Sequence, residues 1–268
     1  MLDIAYGQAT DPGRRSRNED ATCVFVPRSR HEVQVRGWMF ALADGVGGHD
    51  AGEEASSRAV QVLAKGFAEA EEQTSLTSLL PRLIQHANAA VHDESLNPRW
   101  RQQRMATTLV VCAVRHDRAT IAHVGDSRCY LVRSGRVEML TRDHSWVEEQ
   151  RKQGLISESE AQESESRHVL TRTLGIERFV TADTVSISLR PLDTLILCSD
   201  GLYSKLGCEG MKSAVVRHPD DPGVIAHELV RDAICLDGSD NATAVVISIR
   251  TVEAIAMYRG RQYARPGA

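Results

Sequence analysis

Residues 38–49 read WMFALADGVGGH. The first six are apolar without a break, too few for a helix, and closed by an aspartate and a glycine, which marks a buried strand. Asp44 ends the apolar run, and Gly45 beside it lets the backbone turn tightly and approach a ligand. The pattern recurs along the chain. Residues 107–114 (TTLVVCAV), 120–124 (TIAHV), 194–198 (TLILC) and 242–249 (ATAVVISI) read as further buried strands. Residues 128–140 (RCYLVRSGRVEML) read as a hairpin turning at Ser134-Gly135.

Helical period replaces this pattern in three places. In 55–67 the apolar residues Ala55, Ala59, Val62, Leu63 and Phe67 share one face, and in 76–91 Leu76, Leu79, Leu80, Leu83, Ile84 and Ala87 do the same. A third amphipathic segment, 224–235, precedes the last strand. The helices cluster between groups of strands and do not alternate with them one for one. That order predicts mostly antiparallel sheets covered by helices, and argues against a doubly wound parallel sheet. No repeat or linker divides the chain, so residues 1–250 are expected to form one domain and 251–268 a C-terminal tail, poorly ordered over 259–268. The acidic, serine-rich stretch 154–166 is expected to be an exposed helical flap.

Composition bounds the function. The 268 residues carry 32 basic and 36 acidic side chains, a net charge of −4 with no basic block, which argues against a nucleic-acid partner. No apolar run reaches the ~18–20 residues of a membrane span, and the N-terminal residues lack a signal-peptide pattern. The six cysteines have neither CxxC pairs nor regular spacing, which suits a reducing cytoplasm.

Acids sit where the strands end. Asp44 follows WMFALA, Asp126 follows TIAHVG, Asp200 follows TLILCS, Asp240 precedes the last strand, and Asp20 closes RSRNED. Taken singly, such residues are ordinary turn or cap aspartates; Asp50 and Asp143 are expected to cap the helices that follow them. As a set at one sheet edge they would raise one another's pKa, a conflict that divalent cations resolve. Oxygen ligands of this kind suit Mg²⁺ or Mn²⁺ rather than zinc.

The ordered motifs Arg15-x-x-Asn18-Glu19-Asp20, 42–49 (LADGVGGH), Ala106-Thr107-Thr108, Gly125-Asp126-Ser127-Arg128, Thr141-x-Asp143-His144-Ser145, Ser199-Asp200-Gly201-Leu202 and Asp240-Asn241-Ala242-Thr243 resemble the protein phosphatase 2C family, the metal-dependent serine/threonine phosphatases, in bacterial style. The resemblance covers roughly residues 5–250. It implies an α+β fold, a four-layer α-β-β-α sandwich of two mostly antiparallel sheets flanked by helices, with a flap at about 154–175. It implies two core Mn²⁺ or Mg²⁺ ions and a third, weaker one. Asp44 would bridge the core pair with the Gly45 carbonyl on the first ion. Asp20, Asp200 and Asp240 would complete the second site, and Asp126 would support the third ion. Glu19, next to Asp20, would either replace it or support it. Arg15 would grip the substrate phosphate, and a metal-bridging water would attack the phosphoserine or phosphothreonine directly. Phosphorylated proteins and a cognate serine/threonine kinase are the implied partners.

Two departures stand out. Some relatives place a histidine directly after the Asp-Gly pair, where this chain has Val46. His49 is then the nearest proton donor for the leaving group, a structural role for it being equally open. The His-Pro pair that many bacterial relatives carry before Leu-Thr-Arg-x-Leu-Gly is absent from SESRHVLTRTLG, which leaves His168 near its place.

Rival readings are a pseudophosphatase acting as a regulatory phosphoprotein-binding module, a two-metal phosphodiesterase, and a cysteine phosphatase built on Cys112 and Arg118 in C-x5-R spacing. The first would be marked by a lost metal acid, and all are present. The second lacks a basic groove for a polyanion. The third lacks the glycines of a phosphate cradle and places its thiol in an apolar strand.

Overall fold

The computed structural model describes residues 2–46, 50–100, 105–157, 160–161, 164–253, 255–258 and 261–264. Its centre is β3 (Trp38–Val46), the strand of the WMFALADGV run. Successive side chains alternate faces along a strand. Met39, Ala41 and Ala43 therefore face one hydrophobic layer and Phe40 and Leu42 another. The run is apolar throughout because both sides are covered.

β3 lies in a sheet ordered β2 (Asp20–Phe25), β3, β5 (Leu109–Arg115), β6 (Arg118–Val124), β9 (Asp183–Ser188), with the short β4 (Ala106–Thr107) on the end of β3. The second sheet is ordered β1 (Asp3–Asp11), β11 (Ala242–Thr251), β10 (Thr194–Cys198), β7 (Arg128–Arg133), β8 (Arg136–Met139). All the strand pairings described are antiparallel. Between the sheets lie Phe40, Leu42, Cys112, Ile121, Leu197 and Ile247. On the outer face of the first sheet pack α2 (Asp50–Ala68) and α3 (Leu76–Ser95), where Ala51, Ala55 and Ala59 of α2 meet the small residues of β3. On the outer face of the second pack α5 (Asp200–Arg217) and α6 (Pro222–Leu236). The two mostly antiparallel sheets, flanked by helices, are the expected four layers.

Strand direction then places the acids. Because β3 is antiparallel to β2 and β5, and β5 to β6, the start of β2 and the ends of β3 and β6 share one edge. The end of β10 and the start of β11 share the matching edge of the other sheet.

Several elements differ from expectation. The 107–114 run is broken at Thr108: Ala106–Thr107 pairs with the end of β3, and only Leu109 onward enters the main ladder. Asp143 caps no helix. Ser145 is the N-cap of α4 (Trp146–Lys152), its Oγ accepting from the Glu148 N–H, while Asp143 accepts two hydrogen bonds from Arg128. Beyond β11, Ile255–Tyr258 pairs with Arg261–Ala264 as a two-stranded hairpin, where the composition of 259–268 suggested a poorly ordered tail. The 128–140 hairpin forms as expected; Ser134 (φ 50°) and Gly135 (φ 73°) supply the two left-handed residues of a type I′ turn.

Phe40 is fully buried, stacked on Trp38 with ring centroids 6.2 Å apart and edge-on to Tyr6 at 5.5 Å. Phe40→Ala is expected to cost about 3–5 kcal/mol and lower Tm by roughly 10 °C in thermal denaturation. A shift under about 2 °C would remove Phe40 from the inter-sheet core.

Candidate metal centre

The register of β2 on β3 sets Asp20 directly opposite Asp44. Like charges in that position destabilise an antiparallel pair, so this ladder begins with a conflict. Neighbours deepen it. Burial, then the charges of Asp20, Asp200, Asp126 and Asp240, push the Asp44 carboxyl well above its usual range. Burial raises Asp20 to about 7, with Asp200 and Asp240 adding to the rise while the hydroxyls of Thr243 and Ser199 oppose it. Asp126 is also raised to about 7, by burial and then by Asp200 and Asp143.

These acids meet at a cleft of about 600 Å³ whose walls include Asp44, Gly45, Asp126, Asp200 and Asp240. Arg15 reaches the same cleft. Its Nε donates to the Ser239 carbonyl (3.1 Å) and its Nη2 to Asp240 Oδ2 (3.0 Å). Glu19 and Asp20, which the sequence could not separate, occupy different places. Glu19 is on the cleft wall, its Oε2 close to Gly52 in the first turn of α2, where the helix N-terminus favours negative charge. Asp20 lies beneath the wall. Its Oδ2 accepts from Ser199 Oγ (2.9 Å), and its Oδ1 is buried without a hydrogen-bond partner. His49 lies outside the described residues. His168 is brought to the cleft, its Nδ1 3.7 Å from Asp200 Oδ2.

Buried polar residues beside the acids hold them in place, and sequence reasoning gave these no role. Thr108 Oγ1 accepts from the Asp44 N–H (3.0 Å), while Thr107 Oγ1 and the Thr108 N–H both donate to the Asp44 carbonyl (2.8 Å each). Thr108 Oγ1 also shares a 2.6 Å hydrogen bond with Ser127 Oγ, which ties Asp44 to the Asp126 turn. Ser199 Oγ, besides donating to Asp20, accepts from the Thr243 N–H (3.0 Å). Asn241 Oδ1 accepts from the Glu19 N–H (2.8 Å) and its Nδ2 donates to the carbonyls of Pro12 and Arg17, fixing the loop that carries Arg15. His144 Nδ1 accepts from the Gly125 N–H (3.2 Å), which it can do only while neutral; burial and then His123 depress it to about 4. The available signal was Ser127 beside Asp126, Ser199 beside Asp200 and Asn241 beside Asp240; Asp20 and Asp44 have no such neighbour in sequence.

Two glycines are required by geometry. Gly125 has φ 101°, and a Cβ there would meet the Thr108 methyl at 2.6 Å. A Cβ on Gly45 would strike the Gly52 carbonyl oxygen.

Clustered carboxylates with raised pKa values and a buried, unpartnered oxygen on Asp20 form a donor set that fits hard divalent cations. Among the described residues no group of three His, Cys, Asp or Glu side chains is placed as a ready-made metal site. Mg²⁺-type sites do not need one, since such ions keep several waters and take few carboxylates. The cysteine alternative fails on position: Cys112 is fully buried between the sheets, and burial pushes its thiol up to about 12.

Comparison with known proteins agrees with this chemistry. The sequence profile of the protein phosphatase 2C family matches residues 14–222. The chain is 33% identical over 264 residues to the serine/threonine phosphatase stp of Listeria innocua, covering 94% of this chain and 96% of that protein. It superposes on the Mycobacterium tuberculosis serine/threonine phosphatase PstP/Ppp with a TM-score of 0.79 and 30% identity, covering 93% and 100% of the two chains. A crystal structure of the PstP catalytic domain in complex with two manganese ions superposes with a TM-score of 0.77, 30% identity and the same coverage.

Two outcomes test the centre. Between about pH 4 and 7 the metal-free fold keeps protons on Asp20 and Asp126, raised to about 7 from an ordinary 3.8, that the unfolded chain has already lost. Its Tm in EDTA should therefore fall as pH rises from about 4 and level off above about 7, the two carboxyls outweighing His144, which is depressed from 6.5 to about 4 and pulls the other way up to about pH 6.5. Mn²⁺ at about 100 times its Kd should restore roughly 2.7 kcal/mol and tighten its binding as pH rises; a Mn²⁺ effect that is absent or independent of pH would contradict the site. Thr108→Val, which keeps shape and removes the hydroxyl, should weaken Mn²⁺ binding by about 10–100-fold in calorimetric titration. Unchanged affinity would mean that Thr108 does not support Asp44.

Proposed function

The chain belongs to the protein phosphatase 2C family of metal-dependent serine/threonine phosphatases, and we propose that its turnover takes place in the acidic cleft at the common edge of the two sheets. The observation that carries this placement is the convergence of Asp44, Asp126, Asp200 and Asp240, from four separated segments, on one cleft that Arg15 also enters.

Asp44, the Gly45 carbonyl, Asp200 and Asp240 would hold two Mn²⁺ or Mg²⁺ ions. Asp20 would contribute through its unpartnered Oδ1, Asp126 would serve a third ion, and Glu19 would stand on the wall beside them. When bound, the ions supply a water acidic enough to attack phosphorus without a phosphoenzyme. The chain's own residues do the rest. Arg15, pre-aimed by Ser239 and Asp240, presents a planar guanidinium fork to the phosphate oxygens of phosphoserine or phosphothreonine. The Thr107, Thr108 and Ser127 hydroxyls keep Asp44 and the Asp126 turn from moving as charge shifts during the reaction. Val46 cannot donate a proton, so the leaving alkoxide takes its proton from another group, His49 being the nearest histidine in sequence to the Asp-Gly pair.

Residues 1–250 are proposed as the catalytic domain, with the flap at about 154–175 beside the cleft. A serine/threonine kinase acting on the same phosphoproteins is the proposed partner. A cytoplasmic location is proposed from the cysteines, all six of which are free. Among the described residues no helix is long and apolar enough to cross a membrane.

Asp44→Asn and Asp200→Asn should each lower kcat on a phosphothreonine peptide by about 10³-fold or more with an unchanged circular dichroism spectrum. Either variant within about tenfold of wild type would overturn the assignment. Arg15→Ala should raise KM about tenfold, more than it lowers kcat. A normal KM would take Arg15 out of the phosphate site.

A further inference from the structure

A second cleft, of about 580 Å³, opens off the first and shares Val46, His168 and Leu170 with it. Its character is different. Its lining includes Val169, Ile176, Phe179 and Val180, and four of its apolar residues stand in solvent: Phe179 is 78% exposed, Val169 53%, Ile176 46% and Val46 38%. The chain has only four phenylalanines. Phe40 and Phe67 are fully buried and Phe25 packs edge-on against Phe67, so Phe179 is the one held out in water.

The exposure is not that of a loose loop. Leu174 is fully buried and exchanges backbone hydrogen bonds with Thr107 (3.2 and 2.8 Å). Asn88, fully buried on α3, accepts from the Gly175 N–H through Oδ1 (2.9 Å) and donates through Nδ2 to the carbonyls of Glu177 and Arg178 (2.9 and 3.1 Å). Gln85, one turn earlier, donates to the Arg178 carbonyl and accepts from the Val180 N–H. Two α3 amides therefore clamp the backbone on both sides of Phe179 while its ring stays uncovered. A large apolar group held out in solvent on a backbone clamped by a buried Asn88 and a half-buried Gln85 is the arrangement of a pre-organised contact surface, in which little backbone ordering entropy is left to lose on binding.

We infer that this groove receives an aliphatic or aromatic side chain of the phosphoprotein substrate, close in sequence to the phosphorylated residue, and so sets a preference among phosphorylation sites. The occupant follows from continuity. A chain whose phosphate sits among Asp44, Asp200 and Arg15 leaves that cleft past Val46 and Leu170, which are walls of both clefts. Val46 is apolar at that seam. The inference rests on the reading of the acidic cleft as the phosphatase site.

The test pairs peptides with a small substrate. A phosphothreonine peptide with glycine at every flanking position is compared with a set in which one leucine is moved through those positions. p-Nitrophenyl phosphate reports the metal centre alone. Wild type should favour the best leucine peptide by about tenfold in kcat/KM, carried by KM. Phe179→Ser and Ile176→Ser should each reduce that preference to within about twofold while leaving p-nitrophenyl phosphate turnover and Tm unchanged. Equal use of all peptides by wild type, or a leucine preference surviving both substitutions, would overturn the inference. So would loss of p-nitrophenyl phosphate turnover in the variants, which would tie Phe179 to the centre itself. A dimer in light scattering that Phe179→Ser dissociates would assign the groove to a second copy of this chain instead. Failure of wild type to hydrolyse p-nitrophenyl phosphate with Mn²⁺ would be a failure of the phosphatase reading and would take the groove's role with it.

Discussion

Asp20 and Asp44 face each other across a β-ladder, at a position where two like charges weaken strand pairing. The Ser199 and Thr243 hydroxyls relieve Asp20 in part, but most of what surrounds the pair holds the arrangement in place. Burial and the charges of Asp126, Asp200 and Asp240 raise the Asp44 carboxyl further, and of the three strongly raised acids only Asp126 has a guanidinium, that of Arg128, opposing its rise. An arrangement costly without a cation and favourable with one makes the metal part of the fold's balance. The pH dependence of the metal-free protein and the chemistry of the cleft are two consequences of one conflict.

Keeping unfavourable charges together demands a stiff frame, and the sandwich provides it. Antiparallel pairing brings the start of β2 and the ends of β3 and β6 to one edge, and the end of β10 and start of β11 to the matching edge. Hydroxyls and one amide then stitch the edges together: Thr108 joins Asp44 to Ser127, Ser199 joins Asp20 to Thr243, and Asn241 joins the last strand to the Arg15 loop. All three lie in the well-packed end of the protein, where an unmade hydrogen bond costs more than a made one contributes. The centre is thus carried on strand ends and buried polar contacts, while the adjoining groove is carried on α3.

Much of this was legible in the residues. The 38–49 stretch announces a buried strand ending in an acid, and the spacing of α2, α3 and α6 follows from apolar period alone. β1 and β2 were not legible. They are half-buried strands whose Gly, Gln, Thr and Asp residues mimic loop composition. α5 was hidden because it buries only Leu202, Met211 and Ala214, and Gly207 (φ 58°) breaks its regular backbone. In the centre, the acids were readable as a set, but the difference between Glu19 and Asp20 required the strand register. The supporting roles of Thr108, Ser199 and Asn241 depend on contacts between residues 44 to 222 positions apart, which no local pattern encodes. The Cys112–Arg118 spacing shows the converse: a motif that matches in sequence and fails once its thiol is found sealed between two sheets.

The central claim is that carboxylates holding divalent cations, and no cysteine, carry the reaction. Its most direct test is phosphate release from a phosphothreonine peptide in Mn²⁺, measured again after EDTA and again after treatment with a thiol alkylator. The account predicts release that EDTA abolishes, that added Mn²⁺ restores, and that alkylation leaves intact. Metal-independent release that alkylation stops would contradict it.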